Sequence, residues 1–447
     1  MPSTASTGGA GRTGRTRRSV LVVGGGLIGL CAAFSLLRDG HSVTIVERER
    51  VGSGAARGNA GEITPLNVLP MAGPAMIPET VRGVTSRTHY LAVSPLALPR
   101  LATFGLSFLA HCAPRRVAAG SRGLDQLVRG AFASFDAMRR DGLQLAGGGE
   151  GYVYTHPDLA RLEAHRAALV ARADHLGMAR PEPILRGGDV RAADPALANS
   201  VAQAYVATTE RFLDPGLLVD ELRDRLLAEG VTIREGVTAQ RLIPGTSEPG
   251  PAGFPGVAVR DEAGHQEIIR ESRIVVAPGA FAPRLLDASG IRIPNRLRVR
   301  PGRGYSFTVE TDTMPRLLLG SLAERTVAIP MNGRLRIVGL MDFDGSTDRY
   351  EPARARQLAR RASRFLRGVD WDAISEEWVG PRPMTPSGLP VISPLPADSR
   401  IVVAAGHNMH GLSLGAVTGD VVAALVAGRA PVVAGREIDL RPFAIPR

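Results

Sequence analysis

Lysine is absent from this chain, and all 54 basic residues are arginine. That usage fits a GC-rich coding sequence. Cysteine is nearly absent too, with only Cys31 and Cys112 among 447 residues. A disulfide framework and a cysteine-rich zinc site are both excluded. Each cysteine reads as a small buried hydrophobe, and nothing demands an oxidising compartment. Aromatic residues make up 4%, too few to supply stacking platforms for single-stranded nucleic acid. The formal charge of +11 invites a nucleic-acid reading, but the excess is uneven. Residues 1–18 carry four arginines and no acid, and residues 429–447 add a further +2. More than half of the excess sits at the two ends. These read as a disordered basic tail over 1–18 and a C-terminal tail over 431–447. The body between them has an ordinary globular balance, and no nucleic-acid partner is expected.

Arg17-Arg18 is followed by nineteen uncharged residues, Ser19–Leu37. Hydropathy alone would allow a twin-arginine signal or a membrane span. The glycines at 24, 25, 26 and 29 carry another meaning. Ser19–Val23 is a short apolar run that suits a buried parallel strand. The glycine turn Gly24–Gly29 follows at once. Leu30–Asp39 reads as a helix stopped by Gly40, and Ser42–Val46 as a second strand with Glu47 at its end. A glycine turn alone is a weak signal. Strand, turn, helix, strand and terminal acid at this spacing point to a dinucleotide. Gly24 permits the tight turn, Gly26 lets the backbone approach a pyrophosphate, and Gly29 lets the helix pack on the strand. The pyrophosphate then meets the free N–H groups at the helix start. The spacing does not separate NAD from FAD. The protein reads as soluble and cytoplasmic, without a membrane span.

The rest of the chain alternates. Residues 124–140 and 158–177 have helical spacing. Asp214 and Pro215 cap a helix to Glu229. Strands are expected at Val231–Ile233, Thr238–Leu242, Ile274–Ala277, Leu297–Val299, Tyr305–Glu310, Arg334–Leu340 and Ile401–Ala405. Helices are expected at 352–367 and Thr418–Ala427. Arg296, Arg298 and Arg300 would share one strand face.

Several segments together resemble one family. They are Val22–Gly29 with Glu47, Gly58-Asn59-Ala60-Gly61-Glu62-Ile63-Thr64-Pro65, Trp378–Pro390, and Ala405–Gly411 with the helix beyond. Gly304-Tyr305-Ser306 is a weaker fifth match. The chain resembles the FAD-dependent D-amino-acid oxidase superfamily, most closely its D-amino-acid dehydrogenase branch, with glycine oxidase a near relative. The resemblance implies an α/β fold. A Rossmann-type FAD-binding domain (19–92, 195–291, 376–430) is interleaved with an α+β substrate domain built on an antiparallel sheet (93–194, 292–375).

It also implies non-covalent FAD, since no cysteine lies beyond Cys112. Gly24, Gly26 and Gly29 would hold the pyrophosphate, and Glu47 with Arg48 the adenosine end. Asn59, Ala60 and Gly61 would line the flavin. Val237 would meet the adenine end, and Ala277 and Gly279 would close over the dinucleotide. Gly411 and Leu412 would offer N–H groups to the flavin. Arg382 would hold a substrate carboxylate, a task for which a guanidinium fork is well suited. Tyr305 either faces the active site or packs in the sheet. His407 and His410 lie beside the flavin loop as candidates for contact with substrate or flavin. Ala56, Arg57, Asp342 and Ser387 depart from residues common in the family.

The reaction implied is oxidation of the CH–NH group of a D-amino acid, glycine or an imino acid, by hydride transfer from Cα to flavin N5. The imino acid hydrolyses to an oxo acid and ammonia. Oxygen or a quinone would accept the electrons, and a homo-oligomer is allowed. The alternatives are an NAD(P)H-dependent flavin monooxygenase and a tailoring enzyme for N-alkyl or cyclic amino acids. A binding protein with a vestigial nucleotide fold is a third. Ala405-Gly406-His407 speaks against the monooxygenase, where a Gly-Asp-Ala segment is usual.

Overall fold

A computed structural model of the chain describes residues 17–331 and 333–446. Of the expected N-terminal tail, 1–16 lies outside the described residues. Its last residue is not loose. The Arg18 N–H donates to His41 Nδ1 at 3.2 Å, and its carbonyl accepts from the Ser42 N–H.

A six-stranded sheet carries the opening motif. Its order is Val391–Pro394, Ile401–Ala405, Arg273–Val276, Ser19–Val23, Ser42–Val46, Thr232–Arg234. All neighbours run parallel except the first pair. The inner strands are β-branched and almost fully buried, as a sheet covered on both faces requires. The helix Leu27–Arg38 starts in the glycine turn and packs on the closing helix Gly411–Ala427. That closing helix begins seven residues before the expected Thr418. Its glycines are packing positions, because a Cβ at Gly419 would lie 2.5 Å from the Cys31 carbonyl oxygen. Asp214 caps its helix as expected, accepting from the Gly216 and Leu217 N–H groups.

The second layer is a ten-stranded, mainly antiparallel sheet. Its main path runs Val369–Met384, Arg300–Thr311, Arg334–Phe343, Thr326–Met331, Leu318–Ser321, Gly149–Thr155, Gln203–Phe212, Glu62–Ile63. The expected domain bounds cut through this sheet. Strands 203–212 and 62–63 belong to it although they fell in the FAD-domain segments. The helices Pro114–Val128 and Ala131–Arg140 pack on the closing helix, although they fell in the substrate segments.

Two other expectations are corrected. Leu297–Val299 is not a strand, since Asn295–Leu297 is a single 3-10 turn. The three arginines therefore share no strand face. Arg296 reaches the Ala444 carbonyl, Arg298 pairs with Asp287, and Arg300 begins a strand. The C-terminal segment is no loose tail, because Phe443 is fully buried and Ile438 and Ile445 pack beside it in the core. Apolar residues spaced among arginine and proline supply that anchor. Among the described residues, no single helix is long and apolar enough to cross a membrane.

Candidate active site

A cavity of about 680 Å³ runs from the glycine turn, between the two sheets, to Arg382. Five arginines face it against two glutamates, Glu47 and Glu62. That balance suits an anionic dinucleotide.

At one end the backbone forms the cradle. Gly24 has φ +105°, in the region that favours glycine. Gly29 sits so close that a Cβ would lie 1.9 Å from the Gly24 carbonyl oxygen. A Cβ at Gly26 would meet no protein atom within 4 Å and would stand in the cavity instead. This is the space a pyrophosphate needs at a helix start. The Glu47 carboxylate is fixed by the Gly25 N–H at 2.7 Å and the Glu49 N–H at 3.0 Å. Arg48 stacks over the Phe281 ring at 3.9 Å beside it. Val237, Ala277 and Gly279 line the same end, and the Val237 N–H is committed to the Glu47 carbonyl.

The middle is the loop before Glu62. Asn59 and Ala60 line the cavity. The Asn59 amide donates to the Ala56 carbonyl, and its oxygen accepts from the Gly61 N–H at 2.7 Å. Asn59 thus shapes the loop, as such side chains do in turns. Gly61 does not line the cavity. Its φ is +64°, and a Cβ there would lie 2.2 Å from the Leu213 carbonyl oxygen. The unusual Arg57-Gly58 also has a physical account. Arg57 turns outward to Asp220, while Gly58 lies under the Trp378 indole, where a Cβ would come within 2.0 Å. Gly411 and Leu412 meet this region at the first turn of the closing helix, whose N–H groups have no intrahelical partner.

Arg382 closes the other end. It is carried by the strand Val369–Met384, opposite Gly302 of the neighbouring strand, and its guanidinium lies over Gly304. A Cβ at Gly304 would lie 2.1 Å from the guanidinium carbon, so glycine makes room for it. One nitrogen donates to the Leu340 carbonyl at 2.7 Å. Leu340 holds φ +57° at an irregularity between the strands, a strained conformation for leucine that aims this carbonyl. Burial pushes the Arg382 pKa down to about 10, opposed by the negative charges of Glu62 and Asp342. Arg382 remains a cation at neutral pH. Met71, Met76, Leu91 and Met341 supply apolar wall around it.

The other three candidates separate. His407 lines the cavity, with Nε2 at 3.1 Å from the Thr418 hydroxyl. Burial and the neighbouring His410 push its pKa down to about 3, so it is neutral. His410 does not line the cavity. It precedes the closing helix, and its Nε2 lies 3.0 Å from the Leu69 carbonyl oxygen. Tyr305 is fully buried on the far face of its strand. Its hydroxyl donates to Asp342 at 3.1 Å, and Arg354 holds the other oxygen of that carboxylate. Gly304, against Arg382, and Ser306, bonded to the Gly58 carbonyl, share one strand face, and alternation puts Tyr305 on the other. Four charged cavity residues had no expected role: Glu62, Arg260, Arg284 and Arg325. Glu62 was visible within its motif, but its setting depends on strands distant in sequence.

The family model for FAD-dependent oxidoreductases of the DAO type matches residues 19–425. The chain belongs to this family, and it is an FAD-dependent oxidoreductase. It is 30% identical to a D-amino acid dehydrogenase of Methylobacterium radiotolerans, over 95% of this chain and 99% of that one. It is 29% identical to D-amino acid dehydrogenase 2 of Ralstonia nicotianae, over 96% and 100%. Glycine oxidase from Geobacillus kaustophilus shares the fold with TM-score 0.69 and 22% identity, over 96% and 99%. Iminodiacetate oxidase from a Chelativorans species does so with TM-score 0.68 and 19% identity, over 96% and 100%. The open space at Gly26 and the pinned Glu47 fit the FAD that the family implies.

Proposed function

We propose that this oxidoreductase oxidises the CH–NH group of an amino acid, with D-amino acids as the main class and glycine or imino acids within reach. The observation that carries the reading is Arg382, a cation held inside the cavity on the Leu340 carbonyl. A guanidinium in an apolar site is matched by a carboxylate. The names of the bacterial relatives support the same substrate class. FAD, held by the Gly24–Gly26 turn and Glu47, would supply the two-electron acceptor.

The chain's own part is placement. Arg382 fixes the carboxylate, which holds Cα in one orientation and at near-attack distance. The apolar wall around Arg382 excludes water until the imino acid leaves for hydrolysis to an oxo acid and ammonia. The N–H groups of Gly411 and Leu412 favour negative charge developing beside them. Neither cysteine lines the cavity, which supports non-covalent FAD. Oxygen or a quinone accepts the electrons. The protein acts in the cytoplasm.

An anaerobic panel of D-amino acids, glycine, sarcosine and D-proline tests the reading through bleaching of the flavin absorbance. Bleaching by at least one D-amino acid is expected, and no bleaching across the panel would end it. Reoxidation with oxygen and with a quinone then identifies the acceptor.

A further inference from the structure

The cavity around Arg382 holds a second charged group that the reaction above does not use. Glu62 stands in the two-residue strand beside Phe212, and its carbonyl is fixed by the Ser413 hydroxyl at 3.0 Å. It lines the same cavity as Arg382. The two attract each other across that space, without a hydrogen bond joining them. A cation and a carboxylate facing one apolar-walled space are the complement of a zwitterion, which carries both opposite charges on one carbon.

We propose that Glu62 is the substrate's second anchor: its carboxylate receives the ammonium of a zwitterion bound to Arg382 and takes the proton that must leave nitrogen before a hydride leaves Cα. One N–H bond breaks and one O–H bond forms on Glu62. No electrons move in this step, and the amine is left neutral with its lone pair free. The inference rests on the reading above.

The surroundings suit a proton acceptor at neutral pH. Burial pushes the Glu62 pKa up to about 7, against the Tyr152 hydroxyl and the positive charge of Arg382, which pull it down. Glu210, on the strand Gln203–Phe212, also faces this region. Burial and the nearby Glu62 raise its pKa well above the ordinary value, while the Leu66 N–H and Arg172 oppose that shift. One Glu210 oxygen accepts from the Leu66 N–H while the other has no partner.

The test uses the FAD-loaded enzyme and 2-aminoisobutyrate, which has no Cα hydrogen and cannot be oxidised. Isobutyrate, which lacks the amine, is the control. Binding is read from the shift in flavin absorbance. The wild type should prefer the amine. Glu62→Gln should weaken 2-aminoisobutyrate roughly tenfold to a hundredfold, the worth of one charge-assisted hydrogen bond, and leave isobutyrate within about twofold. Glu62→Asp should recover part of the loss. With an oxidisable substrate, kcat/KM should fall below about pH 7 in the wild type, where Glu62 is protonated. In Glu62→Gln that limb should move up to the pKa of the substrate's own amine. Equal losses for both ligands, no preference for the amine, or an unmoved limb would overturn the assignment. If no amine reduces the wild type, the proposed reaction falls, while the binding constants still decide the role of Glu62.

Discussion

Replacing Arg382 by methionine keeps the apolar stem and removes the fork. The carboxylate loses up to two charge-assisted hydrogen bonds, each worth about 1.5–3 kcal/mol. Truncating one partner of a desolvated charge pair costs about 2–5 kcal/mol in measured cases. A loss of about 4 kcal/mol corresponds to a fall of about a thousandfold in kcat/KM. Arg382→Lys keeps a point charge without the fork, and should lose about tenfold to a hundredfold. Flavin content should not change in either variant, because the cradle at Gly24–Gly26 lies at the other end of the cavity. The methionine variant also strips the Leu340 carbonyl of its donor, a cost of about 1–3 kcal/mol in folding stability. Anaerobic stopped-flow separates the effects, since the concentration dependence of flavin reduction gives substrate affinity and its plateau gives the chemical rate. A fully flavinated Arg382→Met enzyme with wild-type affinity and rate would refute the role assigned to this residue.

Gly26→Ala should fold with a normal thermal midpoint as apoprotein but purify poor in flavin, because its Cβ meets no protein atom and enters the cavity. Gly29→Ala should lose stability as well, since its Cβ would fall 1.9 Å from a backbone oxygen. Absorbance ratios and thermal melts distinguish the two. Tyr305→Phe removes the hydroxyl's interactions with Asp342 and Arg303 in the core, so it should cost about 1–3 kcal/mol in denaturant unfolding and leave kcat/KM unchanged. Ending the chain at residue 430 removes Phe443, Ile438 and Ile445 from the core. At about 1.5–3 kcal/mol per buried side chain, the loss rivals the whole stability of a typical domain, and insoluble protein is expected on expression. His407 titrates near pH 6.5 when unfolded and about 3 when folded. Between those values the unfolded chain binds a proton that the folded one does not. Unfolding free energy should therefore decline as pH falls from 6.5 toward 3, and less steeply in His407→Gln.

The opening motif was legible because every part is local: an apolar run, a glycine turn, a helix and a strand within thirty residues. The place of Arg382 in the cavity was legible from the resemblance of the Trp378–Pro390 segment. Tyr305 was not, because a strand's facing depends on its register, and an irregularity beside Leu340 resets that register. The closing helix was expected only from Thr418, because Gly411 and Gly415 lower the helical signal of its first turns. Gly415 and Gly419 are there for the neighbouring helix, which they meet at Cys31. The arginine stripe failed for a similar reason, as a turn at Asn295–Leu297 broke the assumed alternation. Glu62 was part of a recognised motif, yet its chemistry is set by Tyr152 and Arg382, ninety and more than three hundred residues away.

The central claim is that a carboxylate held by Arg382 delivers Cα to the flavin. Anaerobic mixing of the FAD-loaded enzyme with D-alanine and with ethylamine, which lacks the carboxylate, tests it most directly. Rapid bleaching by D-alanine, little by ethylamine, and loss of that difference in Arg382→Met are expected. Equal bleaching by both amines in the wild type would contradict it.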